Sequence, residues 1–424
     1  MKKIVIWSSI SLVVMGLAVG AYLWLQKPQV IQLSDGTKLT LLGVEYGTHH
    51  KYPTARVKGA HRTTTSFDTP EKAVVVWILQ EHKPNQWPNF QTLVYDRAET
   101  ACVANWSGNS QQIKNGVEIV GIELHAFPRR DSKMILRFQT WGSNGQKVSK
   151  EQFVISNPAR SSTPGWTAPA LPQTQSDGDL DVTLNKLVFG VHGFNGNSSS
   201  KDPSTKAVLA AFHTEQNGQV ATNWQPVRIT TSDATGNEIE NNSWSTPNIQ
   251  TGDPTMTYQW GLWPDESAWK VRVEMSRTAG FADNELWTVT ELPVKPGSQQ
   301  DLWDYGNNGR RKTNSAFAEA DLNGVHLRIF PALQFTDQNY NNGQKMGGFR
   351  ITTDPDPTTN GFRMTVLKLT DENGKSLQTY NGGSGGGNFT FQIQNIRNAK
   401  TLNLSLALHQ SRFVDFTAKP SKEP

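Results

Sequence analysis

Histidines, one cysteine and clustered carboxylates are the residues of this 424-residue chain best equipped for chemistry. Their spacing argues against most of it. His49 and His50 are adjacent, with His61, His82 and His125 elsewhere in the same region. On a strand, neighbouring side chains point to opposite faces, so the pair cannot chelate one ion without a bend, whereas a metal site needs several converging ligands. Further on, His192 matches His49 while Gly193 replaces His50, which makes the pair part of the turn after a strand. Asp177-Gly178-Asp179-Leu180-Asp181 has the alternating carboxylates of a calcium loop. It lacks that loop's internal glycine and carries Val188 where the closing glutamate belongs, so it reads as an acidic linker end. Asp354-Pro355-Asp356-Pro357 reads as a proline-rigid turn. Arg129-Arg130-Asp131, after Phe127-Pro128, could clamp an anion, but Asp265-Glu266 hold the matching place later and reverse the charge. A solvated hairpin tip is the better reading.

Cys102 aligns with Ile239, an apolar strand position, and reads as a small buried hydrophobe rather than a nucleophile. As the single cysteine it excludes an intrachain disulfide and a zinc site built from several thiolates. The chain contains no Gly-x-Ser-x-Gly elbow, His-Glu-x-x-His, P-loop or dinucleotide fingerprint. No catalytic, cofactor-binding or metal-ligating residue is assigned, and no cofactor is expected.

The composition explains what kind of body would carry such residues. Hydrophobic residues make up 36% and charged residues 18%, with 35 Gly, 22 Pro and 14 Trp. That mixture suits short strands joined by many turns and not a helical bundle. A net charge of +4 spread over the whole chain is no footprint for nucleic acid, which demands a concentrated basic face. The N-terminus is different. Lys2-Lys3 precedes the uncharged run Ile4–Leu25, which as a helix would cover about 33 Å, enough for a bilayer core. Basic residues before it predict a cytoplasmic N-terminus, with everything after Gln26 exported. If Ala18-Val19-Gly20 is instead a cleavage site, the remainder is secreted.

Comparison of the chain with itself reveals a duplication. Leu39–His49 lies over Val182–His192, and Asp68–Glu81 lies over Asp202–Glu215. The register then holds: Trp87 faces Trp224, Asp96 faces Asp233, Phe127-Pro128 faces Trp263-Pro264, Phe153 faces Trp287 and Pro158 faces Pro293. A third relative is suggested by Asp371-x-x-Gly374-x-x-Leu377, which echoes Asp233-x-x-Gly236-x-x-Ile239, and by a final Phe416–Pro420 that resembles Phe153–Pro158. Within each unit the apolar period is two. Trp269, Val271, Val273 and Met275 alternate with charged neighbours, as do Leu402, Leu404, Leu406 and Leu408 with Asn403, Ser405 and Ala407. Such alternation buries one face of a strand and wets the other. Ala73–Leu79 is apolar on both faces and should be a central strand. Asn144-Gly145, Thr235-Gly236-Asn237 and Asn373-Gly374 mark hairpin turns.

The predicted fold is therefore all-β, with tandem antiparallel β-sandwich modules of immunoglobulin or jelly-roll kind after an N-terminal transmembrane helix. The expected divisions are an anchor at 1–28, a first sandwich at 29–159, a Pro/Ser/Thr/Gln linker at 160–178, a second sandwich at 179–297, a junction at 298–315 and a diverged third sandwich at 316–424.

Asp35-Gly36-Thr37 through Leu41-Leu42-Gly43-Val44-Glu45-Tyr46-Gly47-Thr48-His49, with Phe127-Pro128-Arg129-Arg130, resembles an uncharacterised bacterial family. In that family a hydrophobic N-terminal segment precedes a β-rich exported region. The resemblance implies export and carries no activity and no site residues. The expectation for function is an interaction or scaffold protein of the bacterial envelope, held by the membrane through residues 4–25, with a protein or glycan partner and no nucleic acid. Two alternatives stand beside it. One is glycan binding through loop aromatics such as Trp106 and Trp244, with Trp141, Trp166, Trp260 and Trp303 also outside the matched pairs. The other is an enzyme whose ligands come from distant segments.

Overall fold

A computed structural model describes residues 29–54, 64–84, 90–103, 108–142, 145–191, 207–242, 251–259, 261–303, 315–336, 345–396 and 398–422. The apolar run 4–25 lies outside them. Among the described residues no helix is long and apolar enough to cross a membrane.

Unit one contains β1 (Val30–Gln32), β2 (Lys38–Tyr52), β3 (Thr65–Glu81), β4 (Phe90–Tyr95), β5 (Ala101–Val103), β6 (Gly108–Lys114), β7 (Val117–Leu124), β8 (Lys133–Gly142), β9 (Gly145–Val148) and β10 (Phe153–Ser156). They form two facing sheets, β1-β2-β3-β7-β6 and β10-β8-β4-β5, with β9 also on β8. The period-two pattern does what it predicts: Met134, Leu136 and Phe138 of β8 are buried against Phe153 and Val94. Val74 through Ile78 are wholly buried, because β3 lies between β2 and β7 and both its faces are covered. Val74, Val76 and Ile78 enter the core between the sheets. Val75 and Trp77 enter a second cluster on the outside.

That outer cluster exists because β2 and β3 outrun the sheet. Their register jumps from Gly47↔Ala73 to His49↔Asp68, and the surplus residues in β3 let the end of the hairpin fold back. Phe67 and Tyr52 then lie 5.6 Å and 5.8 Å from the Trp77 ring. Gly121 permits the approach, since a Cβ there would meet both Phe67 and Trp77 at 2.8 Å.

Unit two repeats this plan through β11 (Gln173–Asp177), β12 (Leu180–Val191), β13 (Ala207–Gln216), β14 (Gln219–Val220), β15 (Trp224–Asp233), β16 (Glu238–Asn242), β17 (Thr255–Gln259) and β18 (Trp269–Arg277). Ladder registers coincide. Leu41↔Ile78 becomes Leu184↔Phe212, and the bulge that follows Leu41 recurs after Leu184. Val94↔Leu136 becomes Thr231↔Val271.

The closing strand is where the sequence reading is corrected. In unit one, β10 follows β8 and seals it with Phe153 opposite Leu136. In unit two the next strand, β19 (Leu286–Pro296), leaves for another sheet, and Trp287 pairs with Leu406. The seal comes instead from β28 (Arg412–Ala418), whose Phe416 lies opposite Val271. Phe416, not Trp287, is the counterpart of Phe153. A last strand, β29 (Ser421–Lys422), runs parallel to β12. Unit three is thus inserted inside unit two, which differs from the divisions expected at 179–297 and 316–424. The expected linker is also shorter: β11 begins at Gln173 and pairs with β12.

Unit three contains α1 (Gln299–Trp303), β20 (Ala318–Leu322), β21 (Val325–Ile329), β22 (Ala332–Thr336), β23 (Lys345–Asp354), β24 (Phe362–Asp371), β25 (Gln378–Gly385), β26 (Asn388–Gln394) and β27 (Thr401–Gln410). β19 belongs to both of its layers, pairing β27 through its first half and β22 through its last residues. A bulge after Val289, with Glu291 at φ 56°, makes the bend. The core of unit three is its own, built on Leu404, Leu406, Phe349, Ile351 and Phe391. The core of units one and two is continuous from one to the other.

Because β28 seals a sheet formed much earlier in the chain, Phe416→Ala should destabilise units one and two together, by about 3–5 kcal/mol. Calorimetry should show their transition falling while that of unit three holds. A selective fall of the unit-three transition would contradict the assignment.

Candidate functional site

The two copies of the repeat face each other, and the contact is built from equivalent positions. Asp96 ends β4, and Asp233 ends β15. Each opens a tight turn closed through its own backbone, with Asp96 N donating to Thr100 O and Asp233 N donating to Asn237 O. The carboxylates accept inside those turns, Asp96 from Thr100 N at 2.8 Å and Asp233 from Thr235 N at 2.8 Å. Asp371, which ends β24, makes the same turn, accepting from Lys375 N at 2.9 Å. The turn needs a positive φ, supplied by Gly236 at 91° and Gly374 at 78°, and in unit one by Glu99 at 58°.

Each turn receives an aromatic from the other unit. Phe127 of unit one lies against Asn237, whose Oδ1 accepts from Phe127 N at 3.1 Å and whose Nδ2 donates to Phe127 O at 3.0 Å. Trp263 of unit two, the counterpart of Phe127, donates from Nε1 to Thr100 O at 3.1 Å. The contact therefore has the reciprocity of a two-fold dimer within one chain. Next to the pseudo-axis stand the counterparts Arg130 and Glu266. They meet in a bidentate pair, Nε to Oε1 at 2.6 Å and Nη2 to Oε2 at 2.9 Å. Glu266 is buried, and its hydrogen bonds hold the Arg130 guanidinium above its ordinary pKa. The solvated-tip reading of Arg129-Arg130-Asp131 is corrected by this contact. The charge reversal visible in the sequence is complementarity across an interface.

The linker is fastened along the same seam. Arg130 Nη1 donates to Thr163 O at 2.7 Å, Ser267 Oγ donates to Trp166 O at 2.7 Å, and Lys270 Nζ sits 4.6 Å from the Trp166 ring centre.

A cleft of about 250 Å³ opens beside the pair, lined by Asp96, Arg97, Arg129, Asp131 and Asp265 among others. Arg129 is held by Asn237 Oδ1 at 3.0 Å and by the Phe127 ring at 4.4 Å. Asp265 pairs with Lys422 of the returning C-terminal segment at 2.6 Å. Asp96 is the perturbed group. Burial pushes its carboxyl up to about 6, Asp265 and Asp131 add repulsion, and the backbone donors of Thr100 and Ala98 oppose the rise. The cleft thus combines a carboxyl that protonates in mildly acidic solution with fixed guanidinium groups.

The sequence candidates scatter away from this cleft. His49 is exposed and pairs with Asp68 at 2.7 Å. His50 faces the other way, buried, with Nε2 3.2 Å from Thr69 Oγ. His82 lies 3.7 Å from Glu118, and His125 lies 3.4 Å from Glu123. His61 and His192 lie outside the described residues. No three metal-type ligands converge among the described residues. Asp177–Asp181 is a hairpin turn rather than an acidic linker end: Asp177 and Asp179 each lie 3.4 Å from Arg412, and Asp179 accepts from Gln216 Nε2 at 2.8 Å. Asp354–Pro357 is a turn, with Asp356 accepting from Thr358 N at 3.0 Å and Gly387 N at 2.9 Å. Cys102 pairs with Val94 on β5, as Ile239 pairs with Thr231 on β16. Trp224 is buried as a core residue. Trp87, Trp106, Trp244 and Trp260 lie outside the described residues.

No family model matches the chain, and no curated protein matches it.

Reversing one charge of the central pair should destabilise the protein, and reversing both should restore it. Arg130→Glu and Glu266→Arg alone should each cost about 1–3 kcal/mol, because each leaves like charges facing one another at a largely desolvated contact. Denaturant titration of both singles and the double closes the cycle, and additive losses would refute the pairing.

Asp96→Asn keeps the acceptor for Thr100 N and removes the buried charge. A carboxyl raised in the folded state favours folding below its unfolded pKa and loses that advantage as pH climbs through about 6. The asparagine variant should therefore be more stable than wild type above pH 6, by about 1 kcal/mol after discounting for solvent in the open cleft. The gain should vanish near pH 4. Melting temperatures of the two proteins across that range decide it.

Proposed function

We propose that this chain is a display scaffold of the bacterial envelope, in which an N-terminal apolar segment holds three β-sandwiches outside the cytoplasm for a protein partner. The observation that carries the reading is the interlock. Unit two grips unit one through a reciprocal interface, and unit three leaves and re-enters unit two through paired strands. A chain of independent domains on flexible linkers would not need such contacts. Holding surfaces at fixed separation and angle is the task they suit.

At the re-entry point Glu274 fixes both crossing strands. It is buried and lies 2.7 Å from Arg228, 3.4 Å from Arg363 and 2.6 Å from Ser411 Oγ. His409 is buried beside it, 3.3 Å from Ser276 Oγ, and burial holds its imidazole below the ordinary pKa. Lys2-Lys3 before the uncharged run Ile4–Leu25 supports export, as does the resemblance carried by Asp35–His49.

The test has two parts. Proteinase added to bacterial spheroplasts expressing the full chain should digest the region after Gln26, and protection would overturn the topology. In the same cells, cross-linking should yield discrete adducts that weaken severalfold in an Arg130→Ala/Glu266→Ala variant whose units remain folded. Absence of adducts together with hydrolytic turnover by the purified chain would favour an enzyme.

A further inference from the structure

A second cleft, of about 450 Å³, lies where unit three joins unit two. Its size falls within the roughly 300–1,000 Å³ of small-molecule sites. The floor is the outward face of the β16-β15-β18-β28 sheet, where Thr230 stands opposite Arg272 and Arg228 opposite Glu274. Phe413 stands beside Glu274 on β28. The far wall is the short turn Pro357–Asn360 with Gly361, joined to the floor by Ser411 N donating to Gly361 O at 2.8 Å.

The charges of the floor are unequally engaged. Arg228 is held by Glu274 at 2.7 Å and Glu240 at 3.4 Å. Arg272 is exposed, and among the described residues it forms no ion pair. Its guanidinium lies 5.0 Å from the Phe413 ring centre. A guanidinium placed over a ring keeps its in-plane N–H donors, which match a carboxylate in a bidentate fork. Around it Thr230, Thr358, Thr359, Asn360 and Gln410 offer hydroxyl and amide groups that donate and accept without charge.

We propose that this cleft binds a carboxylate-bearing saccharide, with Arg272 holding the carboxylate and the surrounding hydroxyls and amides meeting the sugar hydroxyls. Phe413 and the guanidinium above it provide a flat surface for a pyranose face. An acidic peptide fits less well. Peptides commonly add to an open sheet edge, whereas β15 and β18, which form the floor, are each paired on both sides. A bare anion would leave the neutral hydrogen-bonding groups unused. The inference is independent of the scaffold reading and holds whether or not a protein partner exists.

Isothermal titration of the full chain with galacturonate oligomers tests it. Binding is expected, together with an affinity loss of roughly tenfold to a hundredfold in Arg272→Ala, the range for one charge-assisted contact of about 1.5–3 kcal/mol. Arg272→Lys should recover only part of it, because an ammonium lacks the fork. Arg272 is exposed, so both variants should melt like wild type, which a thermal scan checks. Methyl-esterified oligomers should bind at least tenfold more weakly than the acid form. Four outcomes would overturn the proposal: no binding of the acidic oligomers, unchanged affinity in Arg272→Ala, equal affinity for the esters, or equal competition by inorganic phosphate or a poly-glutamate peptide.

Discussion

A β-strand at the edge of a sheet exposes a row of backbone donors and acceptors that must find partners or remain a hazard. In unit two that strand is β18, and its demand organises the molecule. The apolar residues of β18, Trp269, Val271, Val273 and Met275, are wholly buried, which requires a neighbour to complete the layer. The chain delivers that neighbour only after unit three has been built, so both crossings between the units are fixed by hydrogen-bonded strands. Glu274, on the same strand, turns its carboxylate to the crossings and ties Arg363 and Ser411 to the sheet. One strand thereby specifies the closure of its own sandwich and the placement of the next.

The pairing of units one and two follows from a symmetry argument. In a true two-fold dimer, a residue on the axis meets its own copy, and two arginines there would repel. Duplication within one chain releases the copies from identity. Arg130 could keep its charge while its counterpart became Glu266, converting repulsion into a bidentate bond. The same divergence disfavours one repeat pairing with an identical repeat of another molecule, since Arg would then face Arg. Phe127 and Trp263 kept bulk on both sides, where the contact needs apolar volume. Thr100 and Asn237 diverged in chemistry yet both still receive the partner's aromatic segment.

Much of the architecture was legible in the sequence. Period-two alternation identified β8, β18 and β27, the doubly apolar run Ala73–Leu79 identified the central strand β3, and constant register identified the repeat. What failed was partnership. Alternation reports which side chains turn inward and is silent on which strand lies alongside. Trp287 sits at the distance from Trp269 that a closing strand should occupy, so it was matched to Phe153, although the Phe416–Pro420 segment carried the better resemblance. The site failed for a related reason. Arg130 and Glu266 were seen as a reversal of charge, but nothing local to either says that the tips touch. The bulky Phe127 and Trp263 beside them were the available signal, because large aromatics are seldom placed in matched tips unless both are covered. Asp177 and Asp179 were likewise visible as alternating carboxylates, while Arg412, their partner, is 235 residues from Asp177.

The insertion also sets an order of events during biosynthesis. A ribosome releases the chain from its N-terminus at about 5–20 residues per second, and domains fold as they emerge. Unit one can complete itself early, because β10 directly follows β8 and β9. Unit two must wait with β18 uncovered until the last residues have been made. For that interval the nascent protein carries an open, apolar-backed rim, and unit one, already docked through Phe127 and Arg130, is the nearest surface able to shelter it. A stop codon late in the message would therefore damage the middle of the protein, not merely trim its end.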